Sequence, residues 1–205
     1  MHKKDIVSAG PTLGEASRVL VMLHGRGATA QDILSLADYL NVDDYSKLAP
    51  QATNHTWYPL SFLARPSQNE PWLSSALNLV AEVVLDINNA GIADDKIYFL
   101  GFSQGACLTL EFVARNARRW GGVVALTGGL IGDEIYRENY KGDFLGTPVY
   151  IGTSDPDPHV PVERVNETTR ILTAMNASVT TDVFPEMGHT VSDREIEQAN
   201  RMVFQ

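Results

Sequence analysis

The sequence predicts an α/β fold, a mostly parallel central sheet with helices on both faces. Strand-like and helix-like segments alternate along the chain, the pattern of a parallel sheet covered on each side. One short β-prone run, Ile97, Tyr98, Phe99 and Leu100, feeds directly into Gly101-Phe-Ser-Gln-Gly105 and then into a helical apolar pattern. The chain has 205 residues, 44% hydrophobic and 20% charged, which suits a single domain over residues 1–205 with a core large enough to hold a rigid site.

The elements follow in order. Residues 19–23 are an apolar strand ending at His24-Gly-Arg-Gly27. Thr29 opens a helix carrying Ile33, Leu34, Leu36, Ala37 and Leu40, and a short strand follows at 47–49. Residues 50–71 read as an irregular aromatic loop with Trp57, Tyr58 and Phe62. Leu73, Leu77, Val80, Val84 and Ile87 recur at helical spacing up to Gly91. After the Gly-x-Ser-x-Gly turn, Ala106, Leu108, Leu110, Phe112 and Val113 mark a buried helix. A strand at 123–126, a glycine-rich acidic excursion at 128–146 and a strand at 149–151 come next. Val162, Val165, Thr169 and Leu172 mark a helix ending near Asn176, and Val179, Thr181 and Val183 alternate as the last strand. Ser192 with Glu195 forms a capping box for a terminal helix.

Composition excludes several classes of partner. A formal charge of −9 disfavours nucleic acid or an anionic membrane surface, which both need concentrated Lys and Arg. The single cysteine, Cys107, rules out an internal disulfide and a thiolate metal cluster, and its place on the buried helix makes it small core filler. No apolar run approaches the roughly 18 residues that a membrane span needs, and no apolar segment follows the first lysines, so the expected location is cytoplasmic. Asp155, Asp157 and His159 are too thin a set for a metal site, and no cofactor is expected.

The serine of Gly101-x-Ser-x-Gly105 carries the chemistry. A sharp strand-to-helix turn holds such a serine in strained φ/ψ with its hydroxyl exposed above the sheet, and flanking glycines avoid collisions across the turn. A serine hydroxyl is a weak nucleophile, so Ser103 needs a general base, a group to orient it and donors for the oxyanion. Each belongs at the C-terminal end of a strand, where an open parallel sheet places its ligand crevice. Among five histidines, His189 stands between the last strand and the last helix and is the candidate base. His2 falls in a segment read as a frayed terminus, His24 in the first glycine loop, His55 in the aromatic loop and His159 beside the acid loop. Asp157 is preferred over Asp155 as the orienting acid, because Asp155 falls earlier, where an acid more often caps its own turn. The backbone amides of Gln104 and Arg26 are the expected oxyanion donors, with the Arg26 side chain left free.

Leu23-His-Gly-Arg-Gly-Ala28, Gly101-Phe-Ser-Gln-Gly-Ala106, Asp157-Pro-His-Val-Pro161 and Gly188-His189 together resemble the phospholipase/carboxylesterase branch of the α/β-hydrolases, which includes acyl-protein thioesterases and small bacterial carboxylesterases. The likeness spans roughly residues 17–204, and the order Ser103, Asp157, His189 is that of the α/β-hydrolases. The resemblance implies an α/β-hydrolase fold, an acyl-serine intermediate on Ser103 and an acyl pocket near Trp57, Tyr58, Leu130 and Ile131. Two features depart from the family pattern: Arg26 replaces a commonly apolar residue, and the segment before Pro148 is short, leaving minimal or no lid. The expected function is a serine carboxylesterase for short-to-medium acyl esters. A thioesterase or lysophospholipase, a hydrolase of aromatic degradation, and a catalytically silent binding protein on the same scaffold are the alternatives. The expected partner is a small-molecule ester, with neither nucleic acid nor membrane insertion and with a homodimer left open.

Overall fold

Five consecutive apolar residues, Val19–Leu23, form a strand buried on both faces, and their alternation divides the core. Val19, Val21 and Leu23 join one apolar cluster, and Leu20 and Met22 join another on the opposite face of the sheet. The computed structural model describes residues 1–205. Its strands are β1 (Ile6–Ala9), β2 (Val19–Leu23), β3 (Ser46–Pro50), β4 (Ile97–Phe102), β5 (Gly122–Leu126), β6 (Pro148–Asp155) and β7 (Ser178–Pro185). They form one sheet in the order β1-β3-β2-β4-β5-β6-β7, with only β1 antiparallel to its neighbour.

The helices are α1 (Ala30–Leu34), α2 (Trp72–Asn89), α3 (Gln104–Arg115), α4 (Val162–Ala174) and α5 (Asp193–Met202). Buried residues of α2, α3 and α4 belong to the larger cluster; those of α1 and α5 belong to the smaller. The mostly parallel sheet covered on both faces is the expected architecture. No helix is long and apolar enough to cross a membrane.

Several boundaries differ from expectation for identifiable reasons. β1 has only two large apolar residues, Ile6 and Val7, adjacent to each other, and lies half exposed at an antiparallel edge, so it carries no alternating signal. The helix opened by Thr29 ends after five residues and passes into a 3₁₀ turn, Ser35–Tyr39, where the Ser35 hydroxyl donates to the Asp32 carbonyl at 2.7 Å. β6 runs four residues beyond the apolar stretch, because Gly152, Thr153, Ser154 and Asp155 stay paired with β7. The capping box of α5 forms, with the Glu195 carboxylate accepting from the Ser192 amide at 2.8 Å.

The N-terminal segment is docked rather than frayed. The Thr53 amide donates to His2 Nδ1 at 3.1 Å, so Nε2 carries the proton and donates to the Trp57 carbonyl at 2.9 Å. The ring lies 5.4 Å from Trp57 and 5.3 Å from Trp72, measured between centroids.

The excursion between β5 and β6 is held from below by α3 and α4. Glu111, fully buried, accepts from the Ile131 amide at 3.0 Å and the Tyr140 hydroxyl at 3.1 Å, and pairs with Arg115 at 2.7 Å. Arg164 donates to the Leu130 carbonyl at 3.0 Å and the Gly132 carbonyl at 2.6 Å, while Thr168 accepts from the Leu130 amide at 2.9 Å. A buried donor stripped of its partner costs about 1–3 kcal/mol. Glu111→Ala, which strips two, is therefore expected to lower the chemical-denaturation midpoint clearly, and an unchanged midpoint would show that water replaces the carboxylate.

Candidate active site

Ser103 follows β4 directly and precedes α3, at φ 53° and ψ −118°. Such a backbone costs on the order of 1–3 kcal/mol and persists only where its surroundings impose it. The surroundings are two glycines. A Cβ on Gly101 would lie 2.4 Å from the Gly105 carbonyl oxygen, and one on Gly105 would lie 2.0 Å from the Leu23 carbonyl oxygen. The Ser103 amide donates to the Leu126 carbonyl on β5 at 2.9 Å, and its carbonyl accepts from the Cys107 amide in the first turn of α3 at 3.0 Å.

Ser103, His189 and Asp157 meet above the C-terminal ends of β4, β6 and β7. The Ser103 hydroxyl is 2.7 Å from His189 Nε2, and His189 Nδ1 is 2.9 Å from Asp157 Oδ2. An ionised carboxylate only accepts, so Nδ1 bears the proton and Nε2 is left to accept from the serine. The Asp157 side chain is fully buried and the His189 side chain 21% exposed. Burial alone would raise the Asp157 carboxyl. Its bonds from the His159 amide, the His189 ring and the Val160 amide outweigh that and hold it below the usual carboxylate range. Asp155 is exposed at the end of β6, where its carbonyl accepts from the Glu186 amide.

Ser154, fully buried, joins the two loops. Its hydroxyl donates to the Pro156 carbonyl at 3.2 Å and accepts from the Gly188 amide at 2.9 Å. The loops carrying Asp157 and His189 thus share one anchor. The rings of Phe102 and His159 flank His189, with centroids 5.3 and 4.9 Å away.

Two amides beside the Ser103 turn have no protein acceptor. Gln104 is the first residue of α3, so its N–H has no carbonyl one turn back, and the Arg26 N–H donates to no protein group. The peptide joining Gly25 to Arg26 is fixed by its carbonyl, which accepts from His24 Nδ1 at 2.7 Å. His24 Nε2 accepts from the Ala52 amide at 3.1 Å, and burial lowers the imidazole pKa, which keeps this ring neutral. Around the same turn, the Gly27 amide donates to the His55 carbonyl at 2.7 Å.

Neither side chain of these two residues is free. The Gln104 carboxamide accepts from the Trp57 amide at 2.9 Å and donates to the Tyr58 carbonyl at 2.8 Å. Arg26, expected to leave its side chain unengaged, donates to Thr56 Oγ1 and the Pro59 carbonyl, each at 3.0 Å, and to the Leu60 carbonyl at 2.7 Å. Both therefore clamp residues 56–60.

A cavity of about 630 Å³ opens over Ser103, walled on one side by Tyr58, Leu60, Phe62 and Leu63 and on the other by Val160 and Pro161. Tyr58 is on the wall as expected, but Trp57, Leu130 and Ile131 are not. Trp57 is turned into the core, where its indole N–H donates to the His24 carbonyl at 2.8 Å. Leu130 and Ile131 are drawn into the larger cluster by the bonds from Arg164, Thr168 and Glu111. Cys107 reaches the cavity floor, yet burial pushes its thiol up to about 12, so it stays protonated at neutral pH. Sequence reasoning missed Ser154 and the side-chain clamps of Gln104 and Arg26. An isolated serine on a strand has no pattern, and a clamp to backbone carbonyls leaves none in its target.

The sequence profile described as Phospholipase/Carboxylesterase matches residues 6–203. A crystal structure of a phospholipase/carboxylesterase from Dyadobacter fermentans is 54% identical and superposes with a TM-score of 0.98 over 100% of this chain and 98% of that one. Acyl-protein thioesterase 1 of Debaryomyces hansenii is 25% identical over 96% of this chain and 94% of its own. The Bacillus cereus carboxylesterase shares the fold, with a TM-score of 0.76 at 22% identity over 96% of this chain and 91% of that one.

Two outcomes test this geometry. Ser154→Ala removes this anchor and is expected to lower kcat on a small ester about ten- to a hundredfold with little change in KM, the loss that misplaced catalytic groups can bring; unchanged kcat would mean that Ser154 is not needed to hold the two loops. Asp157 has a folded pKa below its unfolded value of about 3.9, so it stabilises the fold above that value and loses the effect as pH falls through the folded pKa. Melting curves of Asp157→Asn should therefore fall below the unmodified protein near neutral pH and converge with it in acid.

Proposed function

Because this chain belongs to the phospholipase/carboxylesterase family of the α/β-hydrolases, we propose that it is a serine carboxylesterase acting on short-to-medium acyl esters. The observation that carries this is the unbroken chain of hydrogen bonds from the Ser103 hydroxyl through His189 to Asp157 at the floor of the cavity.

In the proposed cycle the Ser103 Oγ attacks the ester carbonyl while His189 Nε2 takes the hydroxyl proton. The tetrahedral oxyanion is held by the amides of Arg26 and Gln104, worth about 2.7–4 kcal/mol of barrier for each donor in comparable sites. The imidazolium returns its proton to the leaving alcohol, giving an acyl-serine. Water then repeats the sequence with His189 again as base, releasing the acid. Asp157 fixes the imidazole tautomer and stabilises the imidazolium charge.

A thioester is open to the same attack, and the likeness to acyl-protein thioesterases favours it as a second reading. A panel of p-nitrophenyl esters and acyl thioesters separates the two.

Ser103→Ala is expected to fold and to lose activity by on the order of a millionfold, and to resist labelling by a fluorophosphonate probe that modifies the unmodified protein. Retention of most activity would end the serine mechanism. Asp157→Asn should lower the rate about 10⁴-fold through the wrong imidazole tautomer, and Asp155→Asn very little. The reverse ranking would reassign the acid.

Chain length gives the second test. Each methylene that fits the apolar wall gains about 0.8 kcal/mol, and one that meets Phe62 gains nothing. Expected kcat/KM rises from acetate to butyrate or hexanoate and then falls, and Phe62→Ala moves the optimum to longer chains. Preference of the unmodified protein for palmitoyl esters would instead support the thioesterase or lysophospholipase reading.

A further inference from the structure

Arg26 stands exposed on the cavity wall of a chain whose net charge is −9, yet no carboxylate of the protein pairs with it. Its three bonds go to neutral oxygens of Thr56, Pro59 and Leu60 and employ Nη1 and one position on Nη2. Nε and the remaining Nη2 hydrogen have no protein partner. Guanidinium carries five N–H donors in a planar fork that fits a carboxylate two at a time. The three fixed bonds hold the fork in place, so a ligand binding it would pay little further ordering entropy.

The rest of the cavity offers a second carboxylate little repulsion. Asp157 also borders it, but its side chain is fully buried and its oxygens are committed to the amides of His159 and Val160 and to the His189 ring. No lysine and no other arginine lines the cavity, so Arg26 is the one permanent cation within reach of a bound substrate. The loop that bears it also packs on the nucleophile: a Cβ on Gly25 would lie 3.5 Å from that of Ser103. Arg26 and Ser103 line the same cavity, so a short ligand that fills it can meet both the guanidinium and the nucleophile.

We propose that Arg26 binds a carboxylate of the substrate, so that the enzyme selects anionic esters, short esters bearing a second, free carboxylate a few atoms from the scissile bond. This rests on Ser103 being the nucleophile of an ester hydrolase, and it adds the substrate class. The two carriers of that carboxylate are the acyl half, as in half-esters of short dicarboxylic acids, and the alcohol half, as in acyl esters of a hydroxy acid.

The test pairs charged and neutral esters of matched carbon number: methyl hemiglutarate against methyl valerate for the acyl half, and butyryl glycolate against ethyl butyrate for the alcohol half. In the unmodified protein kcat/KM for one charged ester should exceed that of its neutral partner roughly ten- to hundredfold, the value of a hydrogen-bonded charge. Arg26→Gln keeps the backbone amide and should erase that ratio, while any loss from loosening residues 56–60 falls on both esters alike. Equal losses on charged and neutral esters, or no preference in the unmodified protein, would overturn the proposal and leave Arg26 as a tie for the loop. Calorimetric titration of Ser103→Ala with methyl hemiglutarate and butyryl glycolate, with and without Arg26→Gln, reads the same site without turnover. Binding of either that vanishes with the guanidinium supports the carboxylate site even if fluorophosphonate labelling disproves the serine reading; binding indifferent to Arg26 overturns it.

Discussion

Helix α3 starts against the carbonyl end of β2 so closely that position 105 has no room for a side chain. The Leu23 and His24 carbonyl oxygens occupy the space where a Cβ would project, at 2.0 and 2.6 Å. Interiors are packed like crystals and cannot yield by such amounts. The contact sets the start of the helix, hence the amide of Gln104, and it places β2's following loop, with the amide of Arg26, beside the same serine. Strain at Ser103 is a consequence: with Gly101 pressed on Gly105 and the Ser103 amide tied to β5, the chain has one way through the turn.

Around this turn the same residues serve two purposes. Gln104 and Arg26 each keep a backbone N–H without a protein acceptor and use the side chain to grip residues 56–60. The cavity wall is thereby bonded to the residues whose amides would hold the oxyanion. His24 and His55 add rigidity from behind, one through the Gly25 carbonyl and one through the Gly27 amide. Sites held by such supporting bonds keep their geometry without reorganisation during reaction.

How legible the molecule is in its sequence depends on whether a feature has local periodicity. β2 and β4 read clearly because burial on both faces leaves continuous apolar runs, and α2 because burial on one face leaves apolar residues at helical spacing. The capping box of α5 reads clearly because its partners, Ser192 and Glu195, are three residues apart. The Ser103 turn reads clearly because its steric demand falls on two glycines in the same five residues. Features made by distant partners did not. Trp57, Leu130 and Ile131 look like cavity wall in the sequence because each is apolar and near the motifs, and only Arg164, Thr168, Glu111 and the His24 carbonyl decide that they turn inward. The docking of His2 has no local signal because its partners, Thr53, Trp57 and Ser75, lie fifty or more residues away.

Ser154 gives the site a property that neither loop has alone. Both the stretch before Asp157 and the stretch before His189 hang on one buried hydroxyl at the end of β6. When that strand end shifts in a thermal fluctuation, the two loops are carried together, so their separation varies less than the position of either. Displacement becomes common-mode, cancelling in the one coordinate that decides whether the imidazole stays aligned. The Ser103 turn is anchored separately on β5, so breathing between β5 and β6 is the motion that would open the serine–imidazole gap while the imidazole–carboxylate gap stays closed.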